Sequence, residues 1–188
     1  MNPETPDHGD VVTATSHYAH VVWEEDPAED QRLLASSVAL VEFARTCKTL
    51  HPRHPKRLVS EAIWFWSERG SPANKYRLRY RTPAAIELQA TLGHSASAKL
   101  LAHEHVHERA ALVQTLLDPT TDPRRTLLAS HACVVTRAEH AALSAQQHLT
   151  GWARYEAAGI CPVDMSTGQP VLLPELMLAD ESGSVGRR

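Results

Sequence analysis

The chain has little that would advertise an extracellular or membrane life. Three cysteines, Cys47, Cys133 and Cys161, stand far apart with no C-x-x-C pair among them. An odd, scattered set excludes a disulfide scaffold and a zinc ribbon, and suits a reducing compartment; the cytoplasm is the expected location. No apolar run approaches the roughly 18 to 20 residues that span a bilayer, and "MNPETPDHGD" has no basic start followed by an apolar core, so neither secretion nor a membrane partner is expected. Neither charge dominates, with 19 Lys and Arg against 22 Asp and Glu. A global field for a polyanion is therefore absent, and any nucleic-acid contact must come from a local patch. There is no G-x-S-x-G elbow, no internal repeat and no low-complexity tract. What remains is 188 residues, enough for one ordinary core.

Residues 1–10 and 179–188 hold almost nothing that could join a core and are expected to be disordered tails around a single globular domain, 11–178. Asp26 as cap and Pro27 at the first helical position open a helix whose Leu34, Val38, Val41 and Leu50 recur at helical spacing. "HPRHPKR" reads as an interruption whose Arg53, Lys56 and Arg57 add to the cations that could meet nucleic acid, a solvated loop being the alternative. "LVSEAIWFWSERG" reads as a second helix, apolar almost all round and hence central. "KYRLRYRT" then changes period, alternating Lys75, Arg77, Arg79 and Arg81 with Tyr76, Leu78 and Tyr80, which predicts a strand with one cationic face. Thr82 and Pro83 open a further helix ending near Gly93, and "ERAALVQTLLD" reads as a helix stopped by the prolines of "DPTTDP". "HACVVT" is a short β-branched run leading into the capping box "TRAE" and the helix "RAEHAALSAQQHL". Trp152 and Tyr155 in "GWARYEAAGI" read as a core plug, and Cys133 as an inert buried thiol. The remainder reads as irregular. The fold expected is α+β and mainly helical, its helices packed around a small sheet.

"LLAHEHVHERAAL" carries His103, His105 and His107 on alternate positions, with Glu104 and Glu108. Three readings compete. His103, Glu104 and His107 spell H-E-x-x-H, which on a helix puts two imidazoles on one face to grip zinc and leaves Glu104 to activate water, with His131 or Glu139 as candidate third ligands. Alternatively "SASAKLLAHEHVHERAALVQTLLD" is one amphipathic helix whose histidines and acids are its solvated face. Glu139 is explained by capping Thr136 alone.

In the third reading, "EHV" followed by "ACVVTRAEH" resembles the HNH, or His-Me finger, endonucleases, in which an acid–histidine pair ends one strand and another histidine opens the helix after a second strand. The resemblance covers about residues 100–148. It implies a strand–helix metal-site unit, with Glu104 and His140 as ligands of a divalent metal (Mg, Mn or Zn) and His105 as the general base activating water against a phosphodiester. The family's middle position is usually asparagine; the chain's asparagines, Asn2 and Asn74, lie far from the motif, and His131 would substitute as a further ligand. A neutral imidazole can take a proton from water near pH 7 while a metal offsets charge on the phosphate.

Four cations on one strand face repel one another, and phosphates would relieve them. Lys75, Arg77, Arg79 and Arg81 are thus candidate backbone contacts to nucleic acid, DNA in the first instance. An edge strand guarded by its charges is the structural alternative. The patch favours a metal-dependent nuclease over a zinc peptidase, and a non-enzymatic nucleic-acid-binding or protein-binding adaptor remains the third function class. Oligomeric state is not readable.

Overall fold

The computed structural model describes Trp23 and residues 25–68 and 78–171. In chain order they form α1 (Pro27–Thr46), α2 (His54–Ser67), β1 (Tyr80–Arg81), α3 (Pro83–Ser97), β2 (Leu101–His105), α4 (Arg109–Leu117), α5 (Pro123–Ala129), β3 (Ala132–Thr136), α6 (Arg137–Ser144), α7 (Ala153–Ala157), β4 (Val163–Asp164) and β5 (Gln169–Pro170). The fold is α+β and mainly helical around a small mixed sheet, as the sequence pattern predicts. The stretches 1–10 and 179–188 lie outside the described residues. Among the described residues, no helix is long and apolar enough to cross a membrane.

Local chemistry explains most helix boundaries. The Asp26 side chain accepts a hydrogen bond from the Glu29 N–H (2.9 Å), satisfying a donor that the first turn of α1 leaves open. "HPRHPKR" interrupts as expected in its first half, since His51–Arg53 lie between α1 and α2, and its second half seeds α2: the helix begins at His54, with Pro55 in the first turn, where a missing N–H costs nothing. In its setting α2 is not apolar all round. Val59, Ala62 and Ile63 are buried, while Phe65 is 49% exposed. Thr82 accepts from the Ala85 N–H (3.2 Å) at the start of α3, and Gly93 (φ 73°, ψ 166°) breaks that helix where few other residues could follow the chain. "DPTTDP" is a loop only in its first half, because Asp122 caps α5 by accepting from the Arg124 N–H (2.9 Å).

The strand order is β2-β3-β1-β4-β5. β3 is central, antiparallel to β2 and parallel to β1; β1–β4 and β4–β5 are antiparallel. Ala132–Val135 are buried on both faces of β3, which accounts for its unbroken apolar run. One face packs Leu101, Ala132 and Val134 against Leu78 and Ala85; the other packs Val106, Cys133 and Val135 against Leu143 and Tyr155. Each fully buried valine contributes about 1.5–3 kcal/mol from burial alone. A separate helical core gathers Leu34, Val41, Val59, Ile63, Leu112, Leu116 and Leu127 from α1, α2, α4 and α5.

Three features depart from expectation. Of the expected cationic strand, Tyr80–Arg81 are strand among the described residues and Leu78–Arg79 are not, while Lys75, Tyr76 and Arg77 lie outside the described residues. The amphipathic helix expected over "SASAKLLAHEHVHERAALVQTLLD" does not exist as one element: residues 101–105 are the strand β2, paired along their length with β3. The irregular C-terminal stretch contains the small β4–β5 hairpin, turned at Gly168 (φ 69°).

Glu139 ties the strand-to-helix junction together. Its Oε2 accepts from the Thr136 N–H (2.8 Å), the Thr136 hydroxyl (2.9 Å) and the Thr82 hydroxyl (2.7 Å), and its own N–H donates back to Thr136 Oγ1 (3.2 Å). The capping box is therefore also a clasp between the starts of α3 and α6. Glu139→Ala is expected to lower the unfolding free energy by about 2 kcal/mol in urea titrations, against less than about 0.5 kcal/mol for the exposed Glu156→Ala. Equal losses in the two variants would show the clasp to be idle.

Candidate functional site

Strand periodicity decides what the histidine stretch presents. Successive side chains of β2 point to opposite faces, so His103 and His105 share one face and Glu104 takes the other. β2 is also an edge strand, so both of its faces open onto a cleft of about 290 Å³ beside the sheet, lined by His103, Glu104, His105, His140, Trp64, Arg109 and Arg154 among others.

On the first face, the Trp64 ring from α2 packs against both imidazoles, with centroids 4.9 Å from His103 and 5.1 Å from His105; the two imidazoles are 5.0 Å apart. The Arg109 guanidinium lies 5.4 Å from the Trp64 centroid on the outer side. Both ring nitrogens of His105 are buried and make no hydrogen bond to any described residue. Burial pushes this imidazole down to about 4, and the Arg109 charge acts in the same direction. It is therefore uncharged at neutral pH, with its lone pair free.

On the second face Glu104, only 8% exposed, is held at both oxygens. Arg154 Nη2 donates to Oε1 (2.9 Å), and His140 Nδ1 donates to Oε2 (2.7 Å), since an ionised carboxylate can only accept. The Arg154 guanidinium also reaches the carbonyl oxygens of Leu143 (3.3 Å) and His105 (3.4 Å). It thereby joins α7 to β2 and to the end of α6. His140 stands in the first turn of α6, directly after the Glu139 clasp, and its partly exposed ring turns its free edge to the cleft.

Glu104, His105 and His140 thus come together in one cleft, as the strand–helix reading requires. His131 does not join them. Its ring packs on Tyr80 (5.1 Å) and Trp152 (6.5 Å), and burial, reinforced by the Arg79 and His107 charges, lowers its pKa. The H-E-x-x-H helix is overturned. His103 and Glu104 face opposite ways on a strand, and the chain turns at Val106, so that His107 lies against Gly151 and 3.4 Å from the Thr150 hydroxyl. Among the described residues, no group of three or more His, Cys, Asp or Glu side chains is arranged to hold a metal ion.

The expected nucleic-acid contacts fare differently from one another. Arg81 is fully buried against α3, donating from Nε to the Leu78 carbonyl (2.8 Å) and from Nη1 to Gln89 (3.4 Å), so it cannot meet a phosphate. Arg79 forms a two-point pair with Asp164 (2.8 and 2.6 Å). Lys75 and Arg77 lie outside the described residues. The expected cationic face is, where described, structural.

Two site members carry no local signal in the sequence. Arg154 sits inside a segment that reads as packing, 50 residues from the carboxylate it neutralises. Trp64 reads as core, and only the docking of α2 on β2 turns it to the cleft. No protein-family model, no curated protein and no solved structure matches the chain.

The buried His105 links pH to stability. Its folded pKa lies below the ordinary 6.5, so between pH 6.5 and about 4 the unfolded ring binds a proton that the folded ring refuses. Stability is expected to fall as pH drops through that window, and NMR titration should give His105 a midpoint near 4. His105→Leu should reduce the slope without abolishing it, because burial also lowers His107 and His131. A His105 midpoint at 6.5 would contradict the buried setting.

Proposed function

We propose that the protein is a metal-dependent phosphodiesterase acting on nucleic acid, organised as in the His-Me endonucleases around β2, β3 and α6. One observation carries this reading: the carboxylate of β2 and the imidazole that opens α6 meet at 2.7 Å, and His105, next along β2, lines the same cleft.

His105 is the general base. It takes a proton from water as the water oxygen attacks phosphorus and the bond to the leaving oxygen breaks. Burial keeps the ring neutral, one covered nitrogen would have to be exposed to the cleft to meet the water, and a bound phosphodiester would raise its basicity by placing negative charge beside the ring. Glu104 and His140 would offer a divalent cation such as Mg, Mn or Zn one hard oxygen and one imidazole nitrogen on two fixed elements, once the hydrogen bond between Oε2 and Nδ1 had opened and Nδ1 had given up its proton. Few protein ligands beside phosphate and water is a common arrangement for such ions. When bound, the cation would offset charge on the phosphate and the leaving oxygen. Arg154 holds the second carboxylate oxygen and orients the ligand.

Arg154 also favours a second reading. A guanidinium already neutralises Glu104, so Glu104 and His140 can act as a carboxylate–imidazole dyad without a metal, with His140 Nε2 moving the proton. Plasmid nicking, with and without chelator, separates the two. Activity that requires added divalent cation and falls about 10²–10⁴-fold in His105→Ala supports the first reading. Chelator-resistant activity lost in His140→Ala but kept in His105→Ala supports the second. Protein that nicks neither plasmid nor single-stranded substrate under any divalent cation removes both.

A further inference from the structure

The paired Arg79 and the buried Arg81 leave open where a polynucleotide would lie. A second hollow, about 550 Å³, runs between α2 and α4 and is lined by Lys56, Ser60, Gln114, Glu108 and Arg109. Glu108 and Arg109 also line the cleft at β2, so the two hollows adjoin at these residues. Arg109 is exposed and has no carboxylate partner among the described residues; its guanidinium lies over Trp64. Lys56, likewise exposed and without a carboxylate partner among the described residues, sits two turns of α2 from Trp64, about 12 Å along the axis.

We infer that the protein receives a single, unpaired nucleic-acid strand, which runs from the Glu104–His140 cleft past Arg109 into the groove between α2 and α4, with one base replacing the Arg109 guanidinium over Trp64. The fate of the strand rests on the phosphodiesterase reading; its path does not.

The chemistry of the two hollows fits that ligand. Cations at Arg109 and Lys56 meet successive phosphates without reading sequence, and Ser60 adds a hydroxyl donor. The Arg109 guanidinium now lies over the Trp64 ring, and a base would take its place there as the guanidinium turned to a phosphate; only a base that has left its stack can do so, which a single strand offers and a duplex withholds. Both ring nitrogens of His105 are buried at the same wall without a protein hydrogen-bond partner among the described residues. A base edge or a phosphate oxygen entering the cleft would supply one. Glu108 is the opposing group: exposed, shared by both hollows and acidic, it weakens the attraction of a polyanion.

The test is binding without turnover. Full-length protein in EDTA is titrated with fluorescent sixteen-residue oligothymidylate, with oligouridylate of equal length, and with the oligothymidylate annealed to its complement. The inference expects either single strand to bind at least tenfold more tightly than the duplex and to quench tryptophan emission. Trp64→Leu should weaken single-strand binding about tenfold. Lys56→Glu should weaken it several-fold and make the slope of log affinity against log salt shallower by about 0.7 for each phosphate no longer neutralised. Glu108→Gln should tighten it. Duplex bound as tightly as single strand would overturn the inference, as would wild-type affinity in Lys56→Glu, a surface change that leaves the fold intact if Trp64→Leu does not. Single-strand binding with no cleavage in any divalent cation would leave the path standing and remove the phosphodiesterase; cleavage with no strand preference would do the reverse.

Discussion

A buried carboxylate is costly unless charge and hydrogen bonds meet it, and Glu104 is met on both oxygens. Arg154 comes from α7, His140 from α6 and the carboxylate from β2. Three elements distant in sequence are thereby fixed at one point. Removing Arg154 would strand the carboxylate charge in the sheet edge, and removing His140 would leave Oε2 without its donor, so packing of α7 and geometry of the cleft are not separable. The arrangement also limits chemistry. With Arg154 at 2.9 Å, the carboxylate is never bare, and whatever cation approaches Oε2 shares it.

Glu139 and His140 divide two duties between neighbouring residues. The first closes the capping box and clasps Thr82; the second turns to the cleft. Because the helix start is pinned by three donors on one oxygen, the imidazole one residue later inherits a fixed position. Precision at the site thus comes from a cap whose own role is structural.

Local signals are legible in the sequence and tertiary ones are not. Asp26, Pro27, Thr82 and the Thr136–Glu139 box mark helix starts by chemistry confined to one turn, and the structure has helices there. The β-branched run of β3 is equally local. β2 misleads, because "LAHEHVHERAAL" satisfies a helical spacing as well as an alternating one, and only the backbone of β3 decides between them. The juxtaposition of Glu104, His105 and His140 is what the resemblance to the His-Me endonucleases implies; a strand before residue 106 and a helix after 136 do not by themselves bring the three together, and the pairing of β2 with β3 does. Arg154 and Trp64 cannot be found that way, since their roles exist only once α7 and α2 have docked. The basic stretch shows the converse error: its alternation suggests a face for phosphates, but Arg81 points into the protein and Arg79 meets Asp164 across the sheet.

Between β2 and β3 the chain leaves the sheet for residues 106–131, and this excursion builds α4 and α5 into the helical core with α1 and α2. The pairing of the two strands that carry the site therefore closes a loop whose own leucines and valines are buried in a separate core. Leu112, Leu116 and Leu127 would face water in any fragment that began at β2. The cleft is consequently not a portable module: if transplanted, it would have to take the first two helices with it, and a nick anywhere in the excursion would be felt at the sheet.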